Sequence, residues 1–202
     1  MIAAFIHGFC LALGLILPLG VQNLFVFEQG VIQPVYYKAF PAIVTAALCD
    51  TGMILLSVSG VSVLIFHFSL LKTILVSAGI VFLLYMGYVN WHAAVKTDFM
   101  EGESFSARKQ IVFALSVSLL NPYAFLDIIG VIGTGSLQYE AESKVMFTLA
   151  TILVSWLWFT GLGFAGHWFG MMKNLADKML WLQKGSSVVI WGTAIYMAAT
   201  LF

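Results

Sequence analysis

The sequence predicts an all-α integral membrane protein of six transmembrane helices, arranged as two inverted repeats of three. Three observations lead there: a composition too apolar for water, six apolar runs of spanning length, and a matched proline signal in the first and fourth runs. Of the 202 residues, 61% are hydrophobic and 9% charged, with a mean hydropathy of +1.00. A soluble domain carries roughly 25% charged residues. A hydrocarbon core about 30 Å thick takes roughly 20 apolar residues per helix, so residues 1–202 read as a single transmembrane domain with no room for a soluble one. Nine Lys+Arg balance nine Asp+Glu, which leaves no basic field for nucleic acid. The expected surroundings are a lipid bilayer.

The first run covers residues 2–27. Residues 1–9 hold no Lys or Arg, so it reads as a first span rather than a signal peptide. The second run, residues 39–66, contains Cys49-Asp50, and the third, 71–94, carries Gly79 and Gly87, which allow close helix approach. The fourth, 110–135, contains Asn121-Pro122 and Asp127. In the fifth, 145–171, Trp156, Trp158, Phe159, Phe164, Trp168 and Phe169 read as lipid contact, packing and interfacial anchoring. The sixth covers 180–202. Most charges fall in the connections at 28–38, 67–70, 95–109, 136–144 and 172–179. The loop of about 96–108 separates a first repeat, about 1–95, from a second, about 109–202.

Short loops orient a membrane protein by their Lys and Arg. Lys38, Lys96, Arg108, Lys109, Lys173, Lys178 and Lys184 share one side, and Lys72 and Lys144 the other, a balance of seven to two. The expectation is a cytoplasmic middle loop with both termini outside. Halves of three spans then have opposite topologies, the arrangement of an inverted-repeat transporter. Pro18 precedes Asn23 by five residues and Pro122 precedes Asp127 by five, at a constant offset of 104. In a chain with four prolines, coincidence is the competing explanation.

Proline removes a backbone donor and clashes with the carbonyl one turn back, so Pro18-Leu19-Gly20 is expected to unwind span 1. Freed backbone groups at membrane depth need partners in protein or in a water-lined cavity. Gln22 and Asn23 can supply them, or face a ligand; an ordinary kinked helix with two packing amides fits the same residues. Asn121-Pro122 repeats the argument in span 4.

Asp50 and Asp127 are the acids placed within spans. Each costs roughly 2.5–3.5 kcal/mol on insertion scales, and no Lys or Arg lies deep in any predicted span. A protonated Asp bonded to a neighbouring helix, or one near the interface, is the bland account. The functional one is a site: carboxylates attract a cation or a proton, and N–H groups at a broken helix attract a carboxylate. A cationic amino acid meets both requirements. His7, His67, His92 and His167 fall near helix ends with no i, i+3 or i+4 pairing, so no metal is expected. Nor is a cofactor: there is no nucleotide-binding loop, metalloprotease motif or Cys-x-x-Cys.

The stretch Pro18-Leu19-Gly20-Val21-Gln22-Asn23-Leu24-Phe25-Val26-Phe27-Glu28-Gln29-Gly30 resembles the first-helix signature of the lysine/arginine exporter (LysE) family of bacterial inner-membrane amino-acid transporters. Cys49-Asp50 with Leu55, Val58 and Gly60 resembles that family's second-helix motif, and Leu119-Leu120-Asn121-Pro122-Tyr123-Ala124-Phe125-Leu126-Asp127 its fourth. Ser155-Trp156-Leu157-Trp158-Phe159 with Gly161-Leu162-Gly163 resembles the fifth, and Trp191-Gly192 with Ala194 the last. The resemblance runs through the whole chain in order. It implies efflux of a basic amino acid driven by the proton motive force; the wider superfamily also exports neutral amino acids, and some members move metal ions.

The combined expectation is a secondary exporter, not an enzyme, with its site between spans 1, 2 and 4. Asp50 and Asp127 would bind the substrate's cationic groups and exchange protons. Asn23, Asn121 and the backbone around Pro18, Gly20 and Pro122 would bind the α-carboxylate, with Gln22 secondary. A thiol-disulfide electron carrier is a reading from another class, but Cys10 and Cys49 lie in different spans and away from the prolines. A passive structural subunit leaves the two acids unexplained. A homo-oligomer is compatible with the sequence, which sets no oligomeric state.

Overall fold

The computed structural model describes residues 1–17, 20–61, 105–121, 124 and 126–171, with short groups between 77 and 92 and between 181 and 199. All regular structure in the described residues is helical. The chain runs through α1 (Ile2–Ile16), α2 (Val21–Ile32), a 3₁₀ turn (Tyr36–Ala39), α3 (Phe40–Leu56) closed by a π-helical turn (Ser57–Val61), α4 (Ala107–Leu119), a π-helix (Leu126–Gly133), one helical turn (Thr134–Ser136) and α5 (Ala141–Gly170). Among the described residues, two stretches are long and apolar enough to cross a bilayer, Tyr36–Gly60 and Ala141–Gly170. The pair α1 and α2, bent by 78°, makes a third if counted as one broken span. The described residues within the third and sixth predicted spans are helical. The rest of those spans, the loop at 96–104, Pro18 and Pro122 lie outside the described residues.

Two predicted boundaries move. Residues 28–38 were expected as a connection, yet α2 continues to Ile32 and is closed by the Gln33 amide on the Gln29 carbonyl at 3.1 Å. It ends there because Gln33 precedes Pro34, which disfavours helical backbone in the residue before it; Gln33 is extended at ψ 132°. The fifth span starts at Ala141 rather than at residue 145.

Small residues make α3 the centre of the assembly. Ala42, Ala46 and Ala47 are fully buried, and α3 packs against α2, α4, α5 and the π-helix. One core joins Val26, Ile43, Ala47 and Phe159; another joins Ala4, Met53, Ile54, Ile128, Ile132 and Phe147. On α5 the inward residues Phe147, Ala150, Thr151, Val154, Ser155 and Phe159 recur at helical spacing, while Leu149, Leu153, Leu157, Phe164 and Trp168 face outward. In a membrane protein that outward apolar face belongs to lipid.

At one end, Gln110 ties three segments together. Its Nε2 donates to the carbonyls of Lys38 and Phe105, both at 2.9 Å, and its Oε1 accepts the Ala42 amide at 3.3 Å. The start of α3 thereby gains a capping acceptor that its own N-terminal residues do not provide. Gln33 also donates to the Phe105 carbonyl, at 3.1 Å.

Between α2 and α5 the approach is backbone on backbone. A Cβ at Gly30 would collide with the Gly163 carbonyl, and one at Gly166 with the Phe27 carbonyl. At Gly170 it would stand 2.7 Å from the Val31 carbonyl. Small residues permit this kind of van der Waals packing, on which helix association in lipid depends. Gly166→Ala is therefore expected to destabilise the detergent-solubilised protein by about 1–3 kcal/mol, the usual cost of overpacking. Gly161→Ala, on the same helix with nothing within 4 Å of its added methyl, serves as the control and should melt like the wild type.

Candidate functional site

Asp50 lies in the middle of α3, 7% exposed. Its Oδ1 accepts the Gln22 amide Nε2 at 3.2 Å, and its Oδ2 accepts the Ser155 hydroxyl at 3.0 Å. Three helices, α2, α3 and α5, thus meet at one carboxyl group, and both donors are neutral. One residue along, Thr51 accepts the Trp156 indole N–H at 3.1 Å. The site residues Gln22 and Asp50, separated by 28 positions in sequence, are in direct contact.

Between α1 and α2 the helix is interrupted. Leu17 caps α1 with helical angles still (φ −57°, ψ −40°), whereas Gly20 is extended at φ −76°, ψ 174° as the N-cap of α2. Glycine has no side chain with which to cap, so the first N–H groups of α2 receive no side-chain acceptor from it. Asn23 holds the two pieces in place: its Nδ2 donates to the Ile16 carbonyl at 2.9 Å, and its Oδ1 accepts the Trp158 indole N–H at 3.1 Å. One amide therefore satisfies a carbonyl freed at the end of α1 and fixes the break to α5. Pro18 itself is outside the described residues.

The other half of the predicted site is less fully described. Asn121 follows the end of α4 and is half-buried, with a polar partner of its own. Pro122 is outside the described residues, as is the Asp127 side chain, although the Asp127 backbone belongs to the π-helix. That π-helix is tied to α3 by the Ser57 hydroxyl, which donates to the Ile128 carbonyl at 2.9 Å. Ser57 is seven residues, or about two turns, beyond Asp50 on α3. A π-helix within a helical span is a frequent mark of functional sites.

Three residues escaped the sequence reading. Ser155 was quoted only as part of a motif, and a serine in an apolar span carries no signal of its own. Trp158 was grouped with an aromatic stripe, yet its N–H bonds Asn23 and only Trp168 of the tryptophans on α5 is mostly exposed. Glu28 was assigned to a connection. Because α2 continues past it, Glu28 is a further acid within a helical span, and its Oε1 is buried with no hydrogen-bond partner among the described residues. The length of α2 up to the Gln33-Pro34 step was the signal that could have placed it. The thiols of Cys10 and Cys49 are free, and no three His, Cys, Asp or Glu side chains among the described residues come together as metal ligands do.

The family model described as LysE type translocator matches residues 13–200 of this chain. YisU of Bacillus subtilis (strain 168), whose name marks it as a proposed amino-acid transporter, is 47% identical over 199 residues, covering 98% of this chain and 90% of its own. The arginine exporter protein ArgO of Pectobacterium carotovorum subsp. carotovorum is 32% identical over 206 residues, covering 98% of both chains. The ArgO of Salmonella typhimurium is 32% identical over 203 residues, with 98% and 94% covered. No solved structure matches.

Removing the Ser155 hydroxyl should leave an oxygen of a buried carboxyl without its donor. Ser155→Ala is expected to cost about 1–3 kcal/mol in thermal or denaturant unfolding in detergent, and measurably less in an Asp50→Leu background, since the two side chains are coupled. Equal costs in both backgrounds would mean that the bond contributes nothing.

Proposed function

This chain belongs to the LysE type translocator family, and we propose that it is a secondary active exporter of basic amino acids, L-arginine and L-lysine, driven by the proton motive force. The observation that carries the reading is Asp50: a carboxyl group in the interior of an apolar helix bundle, held by the neutral donors Gln22 and Ser155 beside an interrupted helix. A cationic substrate supplies the charge that these donors lack. The arginine exporters align with this chain over nearly its full length, which favours a guanidinium or ammonium cargo over a neutral one.

In this reading the fold consists of two inverted three-span repeats, opened at Pro18 and Pro122. Asp127 of span 4 and Asp50 of span 2 between them hold the substrate's cationic groups and exchange protons. The N–H groups at the start of α2, with Asn23 and Asn121, receive the α-carboxylate, as helix N-termini receive anions. Gln22 links the two halves of the ligand, being bonded to Asp50 while standing in the first turn of α2. The seven-to-two distribution of Lys and Arg supports an orientation with the middle loop in the bacterial cytoplasm and both termini outside.

In proteoliposomes loaded with unlabelled arginine, the wild type should accumulate labelled arginine and lysine by counterflow and leave threonine behind. Threonine counterflow without arginine would replace the basic substrate by a neutral one. Asp50→Asn should raise the arginine KM about 10- to 100-fold, the cost of one charge-assisted hydrogen bond. The Asp50→Asn, Asp127→Asn double variant should show no efflux driven by a pH gradient; active efflux by that protein would end the mechanism. For orientation, a cysteine placed at residues 98–104 should resist a membrane-impermeant thiol reagent in intact cells. One appended after Phe202 should react, and the reverse pattern would invert the topology.

A further inference from the structure

Glu28 is the acid that the binding scheme above does not use. It stands on α2 six residues past Gln22, about 9 Å further along the axis at 1.5 Å per residue. One turn beyond it the helix ends at Ile32, where Gln33 meets the Phe105 carbonyl at the edge of the middle loop. Both oxygens of Asp50 are bonded. The Oε1 of Glu28, in contrast, is shut off from solvent and has no hydrogen-bond partner among the described residues. A bare carboxylate in such a place is costly, so the group needs a cation or a proton.

Its surroundings decide between the two. Helical spacing puts Glu28 on the face of Val21 and Leu24, seven and four residues back. That face packs on Val117 of α4 and on Ile80, Ile190 and Ala194 of the third and sixth predicted spans. Beside it, Phe25 lies against Phe113 of α4 with ring centroids 4.4 Å apart. The charged and titratable groups of the neighbouring elements are engaged elsewhere or exposed. Asp50 is held by Gln22 on another side of α2. On α4, Arg108 and Lys109 are exposed. His167 of α5 lies by the Tyr36 ring, His92 bonds the Tyr88 carbonyl at 2.9 Å, and Lys184 stands over the Trp91 ring at 5.6 Å. An amino acid would need a cavity beside Oε1, whereas an enclosed oxygen is already a complete site for a proton. Ionisable groups inside membrane spans commonly serve as proton relays.

Resting on the proton-driven reading above, we propose that Glu28 is a proton-coupling residue separate from the substrate-binding acids. Its carboxyl group holds a proton while the seam between α2 and α4 is closed, as here. When water reaches the seam, the O–H bond breaks, the proton passes to a water molecule and the carboxylate is left hydrated. Closure then requires that the carboxylate first recover a proton from water, because the bare charge is too costly to shut in. Proton binding and the closed state are thereby linked at one side chain.

The test uses the full chain in proteoliposomes. Glu28→Gln removes the proton site and keeps the shape; Glu28→Met removes it and leaves no polar atom to bury. Both should retain arginine counterflow, which moves no net proton. Both should lose arginine transport driven by a pH gradient, along with the arginine-dependent proton flux recorded by a trapped pH dye. Glu28→Met should melt at or above the wild type, and Glu28→Asp, which keeps the carboxyl group, should retain driven transport. Lys109→Gln, which removes a cation one turn from Phe113, should transport like the wild type. If it reproduces the Glu28→Gln defect, the carboxyl group is half of an ion pair and the proposal falls. Driven transport intact in Glu28→Gln and Glu28→Met would overturn the proposal and leave the exporter reading standing. Loss of counterflow in both would also overturn it, by assigning Glu28 to the substrate or the scaffold. A wild type that exchanges arginine without responding to a pH gradient would remove the proton-driven reading, and this inference with it.

Discussion

A carboxyl group in a hydrocarbon interior has to be hydrogen-bonded by the protein, since no water is there to do it. Around Asp50 that requirement sets the positions of three helices. Gln22 reaches Oδ1 only if α2 begins close to α3, which in turn requires the chain to change direction after Ile16. Ser155 reaches Oδ2 only if α5 turns its Thr151, Val154 and Phe159 side inward. The small residues of α3 let both neighbours come close enough. Both of those donors are neutral, so the two bonds satisfy the oxygens of Asp50 without adding a charge beside them.

The interruption between α1 and α2 is held as firmly as it is open. A broken helix exposes carbonyls on one side and N–H groups on the other, and Asn23 settles only the first of these, through Ile16. Trp158 then fixes the amide from α5. Gly20, the N-cap of α2, has no side chain with which to accept from those N–H groups.

Much of this was legible in the amino-acid sequence, for identifiable reasons. The all-helical class followed from composition, and α3 and α5 from uninterrupted apolar runs. Asp50 and Gln22 stood out because a carboxyl group and an amide are conspicuous among leucines, and the structure brings them together. Ser155 could not be found in this way: serine is tolerated throughout apolar helices, and only the angular position of α5 gives it a role. The bond made by Trp158 is hidden for a related cause. Indole is common at lipid interfaces, and its N–H becomes informative only when the acceptor is known. Glu28 was missed because the end of span 1 was drawn at the first charge, whereas the backbone rule imposed by Pro34 lay further on.

The glycine contact between α2 and α5 bears on how such a machine can move. These helices lie on opposite sides of the 96–108 loop, one in each half of the chain, yet they touch through main-chain atoms at Gly30, Gly163 and Gly166. The same crossing of halves recurs where α1 packs on α5 and α3 on α4. Main-chain contact of this kind has no long side chains to stretch or re-aim, so it is lost outright if the two helices separate. α2 and α5 are therefore held as one pair, whereas the seam between α2 and α4 is padded with larger side chains, with Phe25 tilted against Phe113 at a ring-centroid distance of 4.4 Å.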